Sequence, residues 1–230
     1  KGELVLTVQK NGQAIAETSV WMELLDIKDM YERAHAENID LRPPGTKTSI
    51  YRSDRHFAAN ADESKDLILF VHGMNMSQWE YQNFSETMFK RLYWQGYRGK
   101  FATFYWPTPL FGILSSEMTI LPTEFNRAEW VSWKSAPALK NYINNFLRPR
   151  NPGYKIHLAA HSLGNIAANE AIRQGAIVDN YVLMQAAVSA KSFDGNNANL
   201  DYAYLTGQEA SKPTPNEDAL GGYNNCFTNA

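Results

Sequence analysis

The sequence predicts an α/β protein, a mostly parallel sheet covered by helices. Two observations predict it. From Asp66 onward, short continuous apolar runs alternate with segments of helical periodicity, in the order strand–helix–strand–helix–strand–helix–strand. The first run, Leu67-Ile68-Leu69-Phe70-Val71, has the composition of a strand buried on both faces. The chain has 230 residues, 44% of them hydrophobic, so it can bury one sizeable core without disulfides or metal.

Residues 1–25 read as a β-hairpin. The stretch 3–9 alternates polar and apolar, Asn11-Gly12 is a turn signal, and residues 18–25 are apolar-rich again. Residues 26–65 are charged and mixed, broken by Pro43-Pro44-Gly45. This divides the chain into a hairpin-bearing lead-in segment, 1–65, and an α/β domain, 66–230. After the first core strand, Tyr81, Phe84, Met88 and Leu92 recur at helical spacing up to Gly96. Residues 101–106 form the second strand, stopped by Pro107 and Pro109. Residues 107–123 lack periodicity and are a candidate lid. The next helix starts near Ser135, takes Pro137 in its first turn, and carries the stripe Leu139, Tyr142, Ile143, Phe146 and Leu147. Residues 154–160 are the third strand. Leu163, Ile166, Ala167 and Ala171 mark a helix directly after it, with Gly175 as its cap. Residues 181–188 are the fourth strand, and the chain beyond them is polar.

Several function classes are disfavoured. Net charge is −2 with both signs interspersed, so no footprint for nucleic acid exists. The single cysteine, Cys226, excludes an internal disulfide framework and a CxxC metal site, and no histidine lies near it in sequence. There is no HExxH, GxxxxGK[ST] or GxGxxG, so no metal or nucleotide cofactor is expected. No apolar run approaches the roughly 18 residues of a membrane-spanning helix. The chain starts at Lys1 without Met, so the expectation is that the true start lies further upstream; the compartment is left open.

The chemistry centres on Ala160-His161-Ser162-Leu163-Gly164. A serine is a poor nucleophile unless a base removes its proton and donors stabilise the oxyanion. A strained strand-to-helix turn exposes such a serine at the sheet's carboxyl edge, and small flanking residues permit the turn. The pattern is A-x-S-x-G, with Ala160 in place of the first glycine. The plainer alternative is a serine that caps a helix. Upstream, Val71-His72-Gly73-Met74-Asn75 follows the first core strand, where a turn can donate one oxyanion amide. The candidate donors are Met74 (or its neighbour Asn75) and Leu163.

With these motifs in order, residues 67–188 resemble bacterial α/β-hydrolase serine esterases, especially a poorly characterised family with an A-H-S-[LM]-G-N elbow. The resemblance is carried by Phe70 to Asn75, Phe104 to Pro107, Phe125-Asn126-Arg127, Ser135 to Leu139, and Ile156 to Asn165. It implies the α/β-hydrolase fold and an ester-like substrate, small or lipid-like, cleaved through an acyl-enzyme on Ser162. It implies no particular substrate.

A base is harder to find. The five histidines are His35, His56, His72, His157 and His161, and none follows Ser162 as the order of this fold requires. His161 should point away from the serine, His72 should hydrogen-bond within its turn, and His157 should be a satisfied core residue. His35 and His56 could reach the site only by an unusual arrangement. We expect the last strands, with the acid and histidine, to lie beyond residue 230, and the 230-residue chain alone to turn over little. Asp194 and Asp201 are candidate acids, with solvated loop residues as the plainer reading; Glu217 and Asp218 are weaker. Trp106, Phe111, Trp130 and Trp133 could line an acyl pocket or pack ordinarily. The alternative to an esterase is a catalytically inactive binding module of the same fold, joined to further domains of the polypeptide.

Overall fold

A computed structural model of the chain describes residues 2–22, 26–36, 48–50, 62–108 and 122–188. Contacts divide the chain into two units, Lys1–Met30 and Tyr31–Ala230.

Polar–apolar alternation and the Asn-Gly turn make the first unit a hairpin. Strands β1 (Gly2–Lys10) and β2 (Gln13–Met22) pair antiparallel. Asn11 and Gly12 both take positive φ, 52° and 80°, the conformation that a two-residue hairpin turn requires. Paired residues share a face. Leu4, Leu6 and Val8 therefore stand beside Val20, Thr18 and Ala16, while Thr7 Oγ1 donates to Glu17 on the other face.

The second unit is built on a six-stranded sheet in the order β4-β3-β6-β5-β7-β8. Its strands are β3 (Glu32–Ala36), β4 (Thr48–Ile50), β5 (Asp66–Val71), β6 (Lys100–Tyr105), β7 (Lys155–His161) and β8 (Asn180–Met184). Every neighbouring pair is parallel except β3 with β4. The expected core strands are β5 to β8. The structure adds β3 and β4, drawn from the segment before residue 65. On β3, Ala34 and Ala36 face the core while Glu32 and Arg33 stay half-buried, so no apolar run announces the strand.

Helices cover both faces. Helix α1 (Gln78–Trp94) starts at Ser77, whose hydroxyl accepts from the Glu80 amide while Glu80 accepts from the Ser77 amide. It ends at Gly96, φ 91°, with Tyr97 N donating to the Leu92 carbonyl. Its buried residues are Tyr81, Ser85 and Phe89, not the expected Phe84, Met88 and Leu92. The extra strand explains the shift. Tyr31, just before β3, packs its ring on Phe89 and Phe101, and His35 packs edge-on to Tyr81, so burial moves to that flank of the helix.

On the opposite face lie α2 (Pro122–Lys134), α3 (Ala136–Asn141) and α5 (Gly164–Arg173). Helix α3 has Pro137 in its first turn and runs on through a π-helical stretch, Tyr142–Leu147, into a last turn, α4 (Arg148–Arg150). Leu139, Tyr142, Ile143 and Leu147 are buried as the stripe predicted, while Phe146 is only partly buried. Helix α2 is a finding, because the expected helix starts only near Ser135. These helices close over Leu67, Leu69, Val71, Phe104, Ile156 and Leu158, all with no exposed surface. Each such apolar side chain contributes roughly 1.5–3 kcal/mol. Trp106, Trp130 and Trp133 are buried too, which fits the ordinary packing role rather than an acyl pocket. Phe111 and most of the candidate lid lie outside the described residues. No helix among the described residues is long and apolar enough to cross a membrane.

Candidate active site

The chain leaves β5 for β6 on one side, then returns to place β7 on β5's other side. Strands β5 and β7 thus flank the point where the connections diverge, and the crevice beyond their carboxyl ends is where open α/β sheets bind ligands. In register, Val71 pairs with Ala160. The turns that follow, His72-Gly73 and His161-Ser162, therefore emerge side by side.

Ser162 has φ 50°, a left-handed conformation that a residue with a side chain rarely adopts. It costs on the order of 1–3 kcal/mol and persists only where the surroundings enforce it. Here Ser162 N donates to the Met184 carbonyl of β8 at 3.0 Å. The Ser162 carbonyl accepts from Asn165 N at 3.1 Å, Asn165 Nδ2 at 2.8 Å and Ala187 N at 3.2 Å. Strand β8 stops at Met184, short of the expected Val188. Gln185 turns to φ 44°, and the chain folds back so that Ala187 meets the elbow.

The glycines make room for this. A Cβ on Gly164 would lie 2.3 Å from the His72 carbonyl oxygen and 3.0 Å from that of Val71. A Cβ on Gly73 would lie 2.9 Å from His161 Nδ1 and 3.0 Å from Ser162 Cβ. The elbow and the upstream turn are in direct contact. Ser132 on α2 adds a further clamp, donating to the Leu163 carbonyl at 2.7 Å and accepting from Ala167 N. Among the described residues, the Met74 and Leu163 amides and the Ser162 hydroxyl make no hydrogen bond. The Asn75 amide is taken by Thr108 Oγ1 at 2.9 Å, which removes Asn75 as the alternative donor.

His72 is locked. Its Nδ1 donates to the Gly73 carbonyl, its Nε2 accepts from Trp106 N at 3.1 Å, and Trp106 Nε1 donates to its carbonyl at 2.8 Å. Burial pushes its pKa down to about 3, so the ring is neutral at ordinary pH. Tyr81, Tyr105 and Trp106 surround it, with ring centroids 5.0–5.3 Å away. His35 joins the same aromatic group through Tyr81 and Tyr105, and burial, with Arg33 second, lowers its pKa to about 4. Three strand spacings separate β3 from β7, about 14 Å, so His35 does not serve Ser162. His157 is half-buried rather than in the core. It binds Asp66 at 2.8 Å and Asn180 at 2.8 Å, near the opposite end of β7, about 16 Å along the strand from Ser162. His161 Nε2 meets Gln185 Oε1 at 3.2 Å.

The structure thus brings together Ser162, Leu163 and the Gly73-Met74 turn. Asp194, Asp201, His56, Glu217, Asp218 and Cys226 lie outside the described residues. No cluster of potential metal ligands occurs among the described residues. Sequence reasoning missed the parts of Ser132, Thr108 and the Asn165–Tyr181 pair. Only Asn165 left a trace there, as the last residue of the elbow motif.

A left-handed serine between a parallel strand and a helix, at the diverging point of the sheet, marks the α/β-hydrolase class. Residues 52–206 match the family described as alpha/beta hydrolase of unknown function (DUF900), and the chain belongs to that family. No curated protein matches it.

Proposed function

We propose that the protein is a serine hydrolase that cleaves a carboxylic ester, small or lipid-like, through an acyl-enzyme on Ser162. The observation that carries this reading is the Ser162 conformation, φ 50° at the end of β7, with the Met74 and Leu163 amides making no hydrogen bond among the described residues. Ser162 Oγ attacks the carbonyl carbon. The carbonyl oxygen gains negative charge, which the Leu163 and Met74 amides stabilise; the positive end of the α5 dipole adds to this. The alcohol leaves, and water then releases the acid from Ser162. A histidine base and its acid come from outside the described residues, with Asp194 and Asp201 as candidate acids; the neutral, doubly bonded His72 is a framework residue.

The test is a fluorophosphonate probe on the full-length protein. Labelling of the wild type, lost in Ser162→Ala while the fold persists, is the expected result. A folded full-length protein that never labels at Ser162 overturns the reading.

A further inference from the structure

The peptide between Ser162 and Leu163 holds a carbonyl at one end and an N–H at the other. A planar trans peptide points these two bonds in opposite directions. Whatever fixes the Ser162 carbonyl therefore aims the Leu163 N–H. One of its donors is a side chain, Asn165 Nδ2, at 2.8 Å.

Asn165 is fully buried, and its amide offers nitrogen to the carbonyl only if its oxygen is satisfied elsewhere. The Tyr181 hydroxyl of β8 does this, donating to Asn165 Oδ1 at 2.6 Å. Having given its single proton, the hydroxyl accepts from Asn169 Nδ2 at 3.2 Å. The direction is fixed at each link, from Asn169 to Tyr181 to Asn165 to Ser162. Buried chains of this kind polarise and stiffen one another. The far end bears a penalty: among the described residues, the buried Asn169 Oδ1 has no partner.

Resting on the serine-hydrolase reading, we infer that Asn165, Tyr181 and Asn169 are positioning residues that aim the Leu163 amide at the oxyanion. None of them touches substrate. The orphaned Asn169 oxygen marks the end of the chain that is sacrificed.

The test measures fluorophosphonate labelling of the full-length protein at several probe concentrations, separating the maximal rate from apparent probe affinity. Tyr181→Phe is expected to lower the maximal rate about tenfold and to leave the affinity within about twofold, because the amide is misaimed rather than removed. Asn165→Asp, which loses the Nδ2 donor, falls further; Asn169→Leu, one link more distant, falls least. A merely structural role predicts instead that rate losses follow the losses in thermal midpoint. That ranking, or a Tyr181→Phe rate equal to a labelled wild type, overturns the inference alone. Should Asn165→Asp fail to fold, Tyr181→Phe decides. An unlabelled wild type overturns the serine-hydrolase reading and this inference with it.

Discussion

The His72 carbonyl oxygen occupies the space into which a side chain on Gly164 would project, 2.3 Å from the position of its Cβ. The neighbour is backbone, anchored in turn by Trp106 Nε1. Gly164→Ala would gain about 1 kcal/mol of helix propensity at the start of α5. The clash outweighs it, because the oxygen cannot swing aside. Urea denaturation should show a loss of about 3 kcal/mol, and a variant as stable as wild type would contradict the packing described.

Gly73→Ala separates stability from chemistry. Its Cβ would meet side-chain atoms, His161 Nδ1 and Ser162 Cβ, and the His161 ring can rotate away. The expected stability loss is only about 1 kcal/mol. Ser162 has no such freedom, so probe labelling at Ser162 should fall about tenfold. Equal labelling at reduced stability would refute this.

Acid should destabilise the protein early. Burial holds His72 at about 3 and His35 at about 4, below the ordinary histidine value of 6.5. The unfolded chain then binds more protons than the folded one below pH 6.5, so stability falls as pH falls through that value. The loss continues to about pH 4 for His35 and about pH 3 for His72. Each group contributes a slope of at most about 1.4 kcal/mol per pH unit. Asp66, held below the usual carboxylate range chiefly by its bond to His157, adds a loss of the same sign at lower pH. Denaturation midpoints between pH 7 and 4 should show the slope, and His35→Phe should roughly halve it.

Trp106→Phe keeps an aromatic ring against His72 but loses the donor to the His72 carbonyl. A buried acceptor left bare costs about 1–3 kcal/mol. The midpoint in urea should drop without a change in m, and an unchanged midpoint would show the bond to be dispensable.

Ser77→Ala breaks the reciprocal cap of α1 at one of its two bonds. The expected cost is about 1 kcal/mol in equilibrium unfolding.

The core strands were legible because parallel strands buried on both faces must be apolar throughout, as Leu67 to Val71 are. The elbow and the His72-Gly73 turn were legible because close backbone approach demands small residues at fixed spacing. Strand β3 was not, since Glu32 and Arg33 sit at its start and its parallel partner, β6, pairs with it 70 residues further along the chain. Local pattern does not report such pairing. The Tyr181–Asn165 bond was hidden for a similar reason: β8 reads as an ordinary strand until its register with β7 brings the hydroxyl to the elbow.

Gly164 packed on His72, and Gly73 packed on Ser162, interlock the two turns in both directions. For anyone moving this pair of turns between scaffolds, the segments 71–75 and 160–165 form one transplantable cassette. Grafting either alone would carry across half of a mutual fit, and an elbow with nothing to close against.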